Sequence, residues 1–316
     1  MRSMMFLVLS MVLAGGTGTV EFAAHNSSQP RQEPTASPTV KSVRVNGTEL
    51  SYVEQGRGEP VILIHGFLSD YRVWAAQVSG FSKHYRVIAY SRRYHHPNPW
   101  PPALPQTSFS QDTEDLAAFI RALKLRRVHL IGHSAGAHVA ALVARDYPQL
   151  VRSVVFGEPL FEALVAQSPE AASLPPLMFF ADANKAFQQG DDEGGLRILV
   201  EGIIGRASAY EEMPPHIHRM LLDNLRLGKV QMAAPAPAPF TCDDAQRIKT
   251  PALVLEGEQT VRLFHVAAEE LRKCLPRSEQ AVLAGATHAL ELDNPAGFND
   301  IVLKFLAKHA VPSRAR

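Results

Sequence analysis

The sequence predicts an α/β fold, a mostly parallel, doubly wound sheet with a helical lid inserted after its sixth strand. Three observations predict it. Apolar runs of strand length alternate with amphipathic runs of helix length, as in a parallel sheet covered on both faces. One such strand leads through a glycine-flanked turn directly into an Ala-rich helix. From 160 to 240 the alternation stops, leaving several helical pieces and no convincing strand. The chain has 316 residues, 46% of them hydrophobic and 20% charged, which is the composition of a globular chain with a sizeable core. Lys and Arg total 32 against 31 Asp and Glu, and that near-neutral balance argues against a protein that binds nucleic acid through phosphate attraction.

The elements follow in order. Residues 4–14 are apolar apart from Ser10, with Arg2 ahead of them, and are too short to span a bilayer. They match the hydrophobic core of a signal peptide, so 1–24 is read as an export segment, the alternative being a spurious upstream start. Cutting after Thr19 suits the small residue Thr17. Cutting after Ala24 or Ala23 places Phe22 or Glu21 badly. Residues 25–39, rich in Ser, Pro, Thr and Gln, read as a disordered linker. Strands are expected at 40–45 and 49–54 around the hairpin signal Asn46-Gly47. Further strands are expected at 61–64, 85–90, 127–131, 151–156, 252–255 and 280–283. Helices are expected at 113–123, 135–146, 266–274 and 295–309. Thus 40–159 and 241–316 form the sheet domain, and 160–240 the lid, with helical pieces at 177–189, 196–204 and 216–225. Cys242 and Cys274 can form one bridge or none. Cys274, on an expected helix, reads as a buried small hydrophobe.

The chemistry centres on Gly132-His133-Ser134-Ala135-Gly136, a G-x-S-x-G that follows a strand and opens a helix. Such a turn exposes a serine hydroxyl at the carboxyl end of a sheet, beside a helix N-terminus that favours developing negative charge. His65-Gly66-Phe67 follows an earlier strand. His288 lies late in the chain, between a strand and a helix. With these motifs the sequence resembles the α/β-hydrolase fold superfamily from about residue 40 to its C-terminus. The resemblance implies a serine esterase or lactonase with a catalytic triad in the order Ser134, then His288. It also implies an oxyanion hole made by the backbone N–H groups of Phe67 and Ala135. His133 is expected to point away from the serine and support the turn.

The triad acid departs from the common superfamily pattern. The usual Asp sits in a G-x-x-D turn after the penultimate strand. The corresponding turn here, Gly257-Glu258-Gln259-Thr260, ends in Thr260. Glu158, after the strand at 151–156, is the better acid. Haloalkane dehalogenases and the fungal lactonases acting on zearalenone place theirs there. Glu258 is the alternative and Glu256 the third choice.

A serine nucleophile implies acyl transfer to water rather than the alkyl-ester chemistry that needs Asp in that place. The expected partner is a small-molecule ester or lactone. No cofactor is implied, because Gly56-Arg57-Gly58 lacks the rest of a phosphate or dinucleotide loop. No metal is expected either, because the His pairs lack ligand spacing. His65, Arg93, Tyr94, Phe161 and Phe180 are candidate pocket residues. Arg93 and Tyr94, with Arg92 and Trp100, lie in a cationic, aromatic loop, and the two Phe residues lie in the lid with Leu164, Leu177, Met178 and Phe179. Competing readings on the same fold are a C–C bond hydrolase, an acyltransferase and a non-catalytic ligand-binding homologue.

Overall fold

The computed structural model describes residues 39–103, 107–174 and 178–311. The signal and linker readings over 1–38 lie outside the described residues, as does Leu177. Eight strands form one sheet: β1 (Lys41–Val45), β2 (Thr48–Gln55), β3 (Pro60–Ile64), β4 (Arg86–Tyr90), β5 (Val128–His133), β6 (Val151–Gly157), β7 (Ala252–Gly257) and β8 (Ser278–Leu283). Their spatial order is β1-β2-β4-β3-β5-β6-β7-β8. Only β2 runs against its neighbours, pairing antiparallel with β1 and β4. The β1–β2 hairpin turns at Asn46 and Gly47, both at positive φ, as a two-residue loop between twisted strands requires.

The helices around the sheet domain are α1 (Ala75–Phe81), α2 (Phe109–Ala122) and α3 (Ala135–Asp146) before β6. Between β6 and β7 lie α4 (Glu162–Val165), α5 (Met178–Gln188), α6 (Asp192–Ile204), α7 (Pro215–Ala233) and α8 (Cys242–Gln246). After β7 come α9 (Arg262–Cys274), α10 (Leu290–Asp293) and α11 (Pro295–Lys308). Side chains alternate across the pleat, so each buried strand feeds two cores. Ile62, Ile64, Leu130, Val154 and Phe156 join Leu116, Phe119 and Val143 on the α2–α3 face. Val61, Leu63, Ile131, Val155 and Leu255 join Phe81, Phe298 and Phe305 on the α1–α11 face. This is why these strands read as continuous apolar runs.

The segment between β6 and β7 builds a third core from Phe187 of α5, Leu196 and Leu199 of α6 and Leu221 and Leu225 of α7, with Leu68 of the sheet domain among them. Polar contacts fix α7 to the segments after β3 and β4. Asn224 donates to Asp70 at 2.8 Å and accepts from the His96 N–H at 2.8 Å, while Arg72 pairs with Asp223 at 2.9 Å. Cys242 and Cys274 form a disulfide that joins α8 to α9 across a Cα separation of 5.1 Å. Among the described residues no helix is long and apolar enough to cross a membrane.

Candidate active site

The carboxyl ends of β3, β5, β6 and β7 and the loop after β8 converge on one place. Ser134 stands between β5 and α3 at φ 52° and ψ −118°, a backbone region that costs a non-glycine residue about 1–3 kcal/mol. The flanking glycines make this turn fit. A Cβ on Gly132 would run into the Gly136 carbonyl, and one on Gly136 into the Ile64 carbonyl of β3. The Ser134 N–H donates to the Gly157 carbonyl at 2.8 Å, which holds the elbow against the end of β6.

Glu158 follows immediately, also at positive φ and with no solvent exposure. Its carboxylate is fully engaged. Oε1 accepts from the Gly257 N–H at 2.6 Å. Oε2 accepts from the Thr260 hydroxyl at 2.7 Å and lies 3.1 Å from His288 Nδ1. A buried carboxylate needs such partners, and their placement turns Oε2 toward the imidazole. Phe264 of α9 packs on the His288 ring at a centroid distance of 4.0 Å. Burial pushes the His288 pKa below the ordinary 6.5 and outweighs the Glu158 hydrogen bond that raises it, so the ring is neutral at pH 7. Glu258 is exposed and accepts from the Gly285 N–H at 2.8 Å, away from His288. Glu256 is bonded to His265 and Gln280, each at 2.6 Å.

The Gly66–Phe67 peptide is gripped from behind. Its carbonyl oxygen accepts from His65 Nδ1 at 2.9 Å, Arg92 Nη2 at 3.1 Å and Ser69 Oγ at 3.4 Å. In a planar trans peptide the N–H points opposite to the C=O, so these donors orient and polarise the Phe67 amide. Arg92 is 1% exposed and pairs with Asp112 at 2.7 Å.

A cavity of about 110 Å³ holds Ser134 and His288, along with Phe67 and the polar groups His133, Ser69 and Glu291. Its remaining wall is apolar and comes largely from Val200, Ile203 and Ile204 of α6 and Ile217, Met220 and Leu221 of α7. None of the five expected pocket residues lines this cavity. His65 is buried under the Gly66 loop and accepts from the Arg92 N–H at 2.9 Å. Arg93 is bidentate to Asp115 of α2, both contacts at 2.6 Å, and Tyr94 packs beside Trp100. Phe161 stacks on Phe240 at 4.3 Å in the sheet core, and Phe180 packs on Phe179 in the α5–α7 core. The Arg residues pair with carboxylates on α2, and the Phe residues pack into cores. His133, expected to face away, is on the cavity wall. Among the described residues no three His, Cys, Asp or Glu side chains group as a metal site.

Thr260, Arg92 and Glu291 are the contributors that residue type alone hides. Thr260 stands where the usual Asp is absent, and the direct signal for its role is only its place in the turn after β7.

A family model described as alpha/beta hydrolase fold matches residues 59–295. The chain belongs to that family. Among curated relatives, an (E)-2-((N-methylformamido)methylene)succinate hydrolase of Acinetobacter baylyi is 38% identical over 108 residues, 34% of this chain and 40% of that protein. A putative non-heme chloroperoxidase of Synechocystis is 24% identical over 82% of this chain and 95% of its own length. A solved structure of Est816, described as an N-acyl homoserine lactone degrading enzyme, superposes with a TM-score of 0.69 at 24% identity, over 84% of this chain and all of that one.

Proposed function

We propose that this α/β-hydrolase is a serine hydrolase that cleaves a carboxylic ester or lactone. The observation that carries the reading is Glu158 Oε2 at 3.1 Å from His288 Nδ1, with His288 and Ser134 on one cavity. Glu158 accepts the Nδ1–H, fixes the tautomer and leaves the Nε2 lone pair to take the serine proton. Ser134 attacks the carbonyl. The Phe67 and Ala135 amides stabilise the oxyanion, each such donor contributing about 3–4 kcal/mol. His288 returns the proton to the leaving alkoxide, then activates the water that hydrolyses the acyl-enzyme. The Thr260 hydroxyl on Glu158 supports this reading over a decayed, non-catalytic homologue: the turn that lost its Asp still serves an acid.

Residues 160–240 act as a lid over the acyl site. Its small volume and apolar wall favour a short, uncharged acyl chain, since sites for drug-sized ligands occupy roughly 300–1,000 Å³. A fluorophosphonate probe tests the reading: it labels Ser134 in the wild type and fails to label His288→Ala. Labelling elsewhere, or none, contradicts it.

We further propose that the protein is exported. The Cys242–Cys274 disulfide supports an oxidising compartment, and the apolar run at 4–14 supplies a signal core. N-terminal sequencing of the mature protein tests this, and an intact Met1 rules out export by cleavage.

A further inference from the structure

The elbow carries a second acid–histidine pair that the proposed reaction does not use. His133 Nδ1 lies 3.1 Å from Glu291 Oε1, and its Nε2 lies 2.8 Å from the His288 backbone carbonyl oxygen. A carboxylate and a carbonyl are both acceptors, whereas a neutral imidazole carries a single N–H. The Nε2 contact is a hydrogen bond, whereas the Nδ1 contact is a close charge approach off the N–H direction, and Glu291 Oε2 has no partner among the described residues. A buried carboxylate so placed is balanced only if the pair holds one proton more than a neutral imidazole and a carboxylate do. His133 is 9% exposed and Glu291 2%, so little water is present to relieve a mismatch. The other groups facing the ring are the His288 imidazole, at a centroid distance of 4.9 Å, the Glu158 carboxylate and His65.

We propose that His133 and Glu291 are positioning residues that share one proton through neutral pH and thereby hold the backbone of His288 in place beside Ser134. Drawn as imidazolium and carboxylate, the ring donates Nε2–H to the His288 carbonyl and sets its positive charge 3.1 Å from Glu291 Oε1. Burial disfavours the imidazolium, but the Glu291 charge and hydrogen bonds outweigh it and raise the His133 pKa above the ordinary 6.5. Loss of the proton leaves the buried Glu291 charge unbalanced, and the one remaining N–H is drawn from the His288 carbonyl toward Glu291. A shift of about 1 Å in a reacting group costs on the order of 100-fold in rate. The positioning role rests on the reading of His288 as general base. The shared proton does not.

Two measurements on the full chain test this. In the first, ring 15N and 13C spectra of histidine-labelled protein are followed from neutral to alkaline pH, with the His133 signals assigned from their loss in His133→Gln. The expected result is a doubly protonated His133 at neutral pH, titrating above the usual histidine range. In Glu291→Gln the amide donates to Nδ1 of a neutral ring, so that titration drops below the usual range. A neutral His133 at pH 7 in the wild type, or a titration unmoved in Glu291→Gln, overturns the shared proton. The second measurement is kcat against pH on p-nitrophenyl butyrate. The wild type should show an alkaline limb of about tenfold per pH unit that tracks the His133 titration and is absent in Glu291→Gln, whose neutral ring keeps Nε2–H on the His288 carbonyl. If the spectra show the shared proton but the limb does not follow it, the positioning role fails. If the wild type has no turnover, the hydrolase reading and the positioning role fall together, while the spectra still report on the proton.

Discussion

In the proposed reaction Thr260 and Glu158 divide the work that a single Asp does elsewhere in this family. The carboxylate enters from the end of β6 instead of the turn after β7. The turn contributes a hydroxyl at 2.7 Å and an amide at 2.6 Å to hold it. That arrangement makes Glu158→Gln a sharp test. The amide presents a donor or a weaker acceptor to His288 Nδ1, so the imidazolium formed during attack loses its anionic partner. We expect kcat to fall by a factor on the order of 10³–10⁴. Glu258→Gln, at an exposed side chain bonded to Gly285, should leave kcat within about twofold of wild type, since it removes nothing near the imidazole. Steady-state kinetics of the two variants with p-nitrophenyl butyrate check this, and the reverse order would move the acid to Glu258. The convergence of Ser134, His288 and Glu158 was legible in the sequence because each sits in a local strand-to-turn pattern, and parallel strands bring such turns to one edge. The pocket was not legible. Arg92 and Arg93 read as a cationic mouth, yet their partners are Asp112 and Asp115, about twenty positions on in α2. Sequence spacing does not reveal which way a long side chain folds back.

At the level of elements, the two sheet faces were readable and the short helices were not. Helix α1 has only seven residues and α10 four, too few for a helical period to show. Helix α7 runs to Ala233, eight residues past the end its apolar spacing suggested, because Arg226, Leu227, Lys229, Gln231, Met232 and Ala233 are good helix formers and the first proline after them is Pro235. The expected lid residues failed for a different reason. Phe161 and Phe180 are large and apolar, and the sheet core and the α5–α7 core claimed them. The cavity wall instead comes from medium aliphatic side chains of α6 and α7, among them Met220 and Ile217. Met220→Ala should therefore enlarge the acyl site and move the preferred p-nitrophenyl ester to a longer chain. It should also lower stability by about 2–5 kcal/mol, because Met220 is buried. A kcat/KM series from acetate to octanoate reads the first effect and urea unfolding the second. An unchanged chain-length profile would show that α7 does not bound the acyl group.

Across the whole molecule, the charge that matters is hidden. The net formal charge is +1, but His65, His95, His129, His138 and His288 are held neutral chiefly by burial, with His138 pushed down to about 4. Their pKa values are lower folded than unfolded, so the unfolded chain binds protons that the native state refuses. The sign follows: their stabilisation is complete above the ordinary histidine value of 6.5 and is lost as pH falls below it. Each contributes a loss of about 1.4 kcal/mol per pH unit between its unfolded and folded pKa values. His133, raised instead, acts the other way and loses its contribution as pH rises through its folded value. Urea midpoints measured from pH 8 to pH 5 should therefore fall steeply below about 6.5, and a flat profile would show that these histidines are already charged in the native state. The same neutral state of His288 underlies the proposed chemistry, in which Ser134 must carry the acyl group. The direct measurement is mass spectrometry of protein acid-quenched during turnover of p-nitrophenyl butyrate. A butyryl adduct on the peptide containing Ser134, absent from Ser134→Ala, is the predicted result, and turnover that continues in Ser134→Ala with no adduct on that peptide would contradict the account.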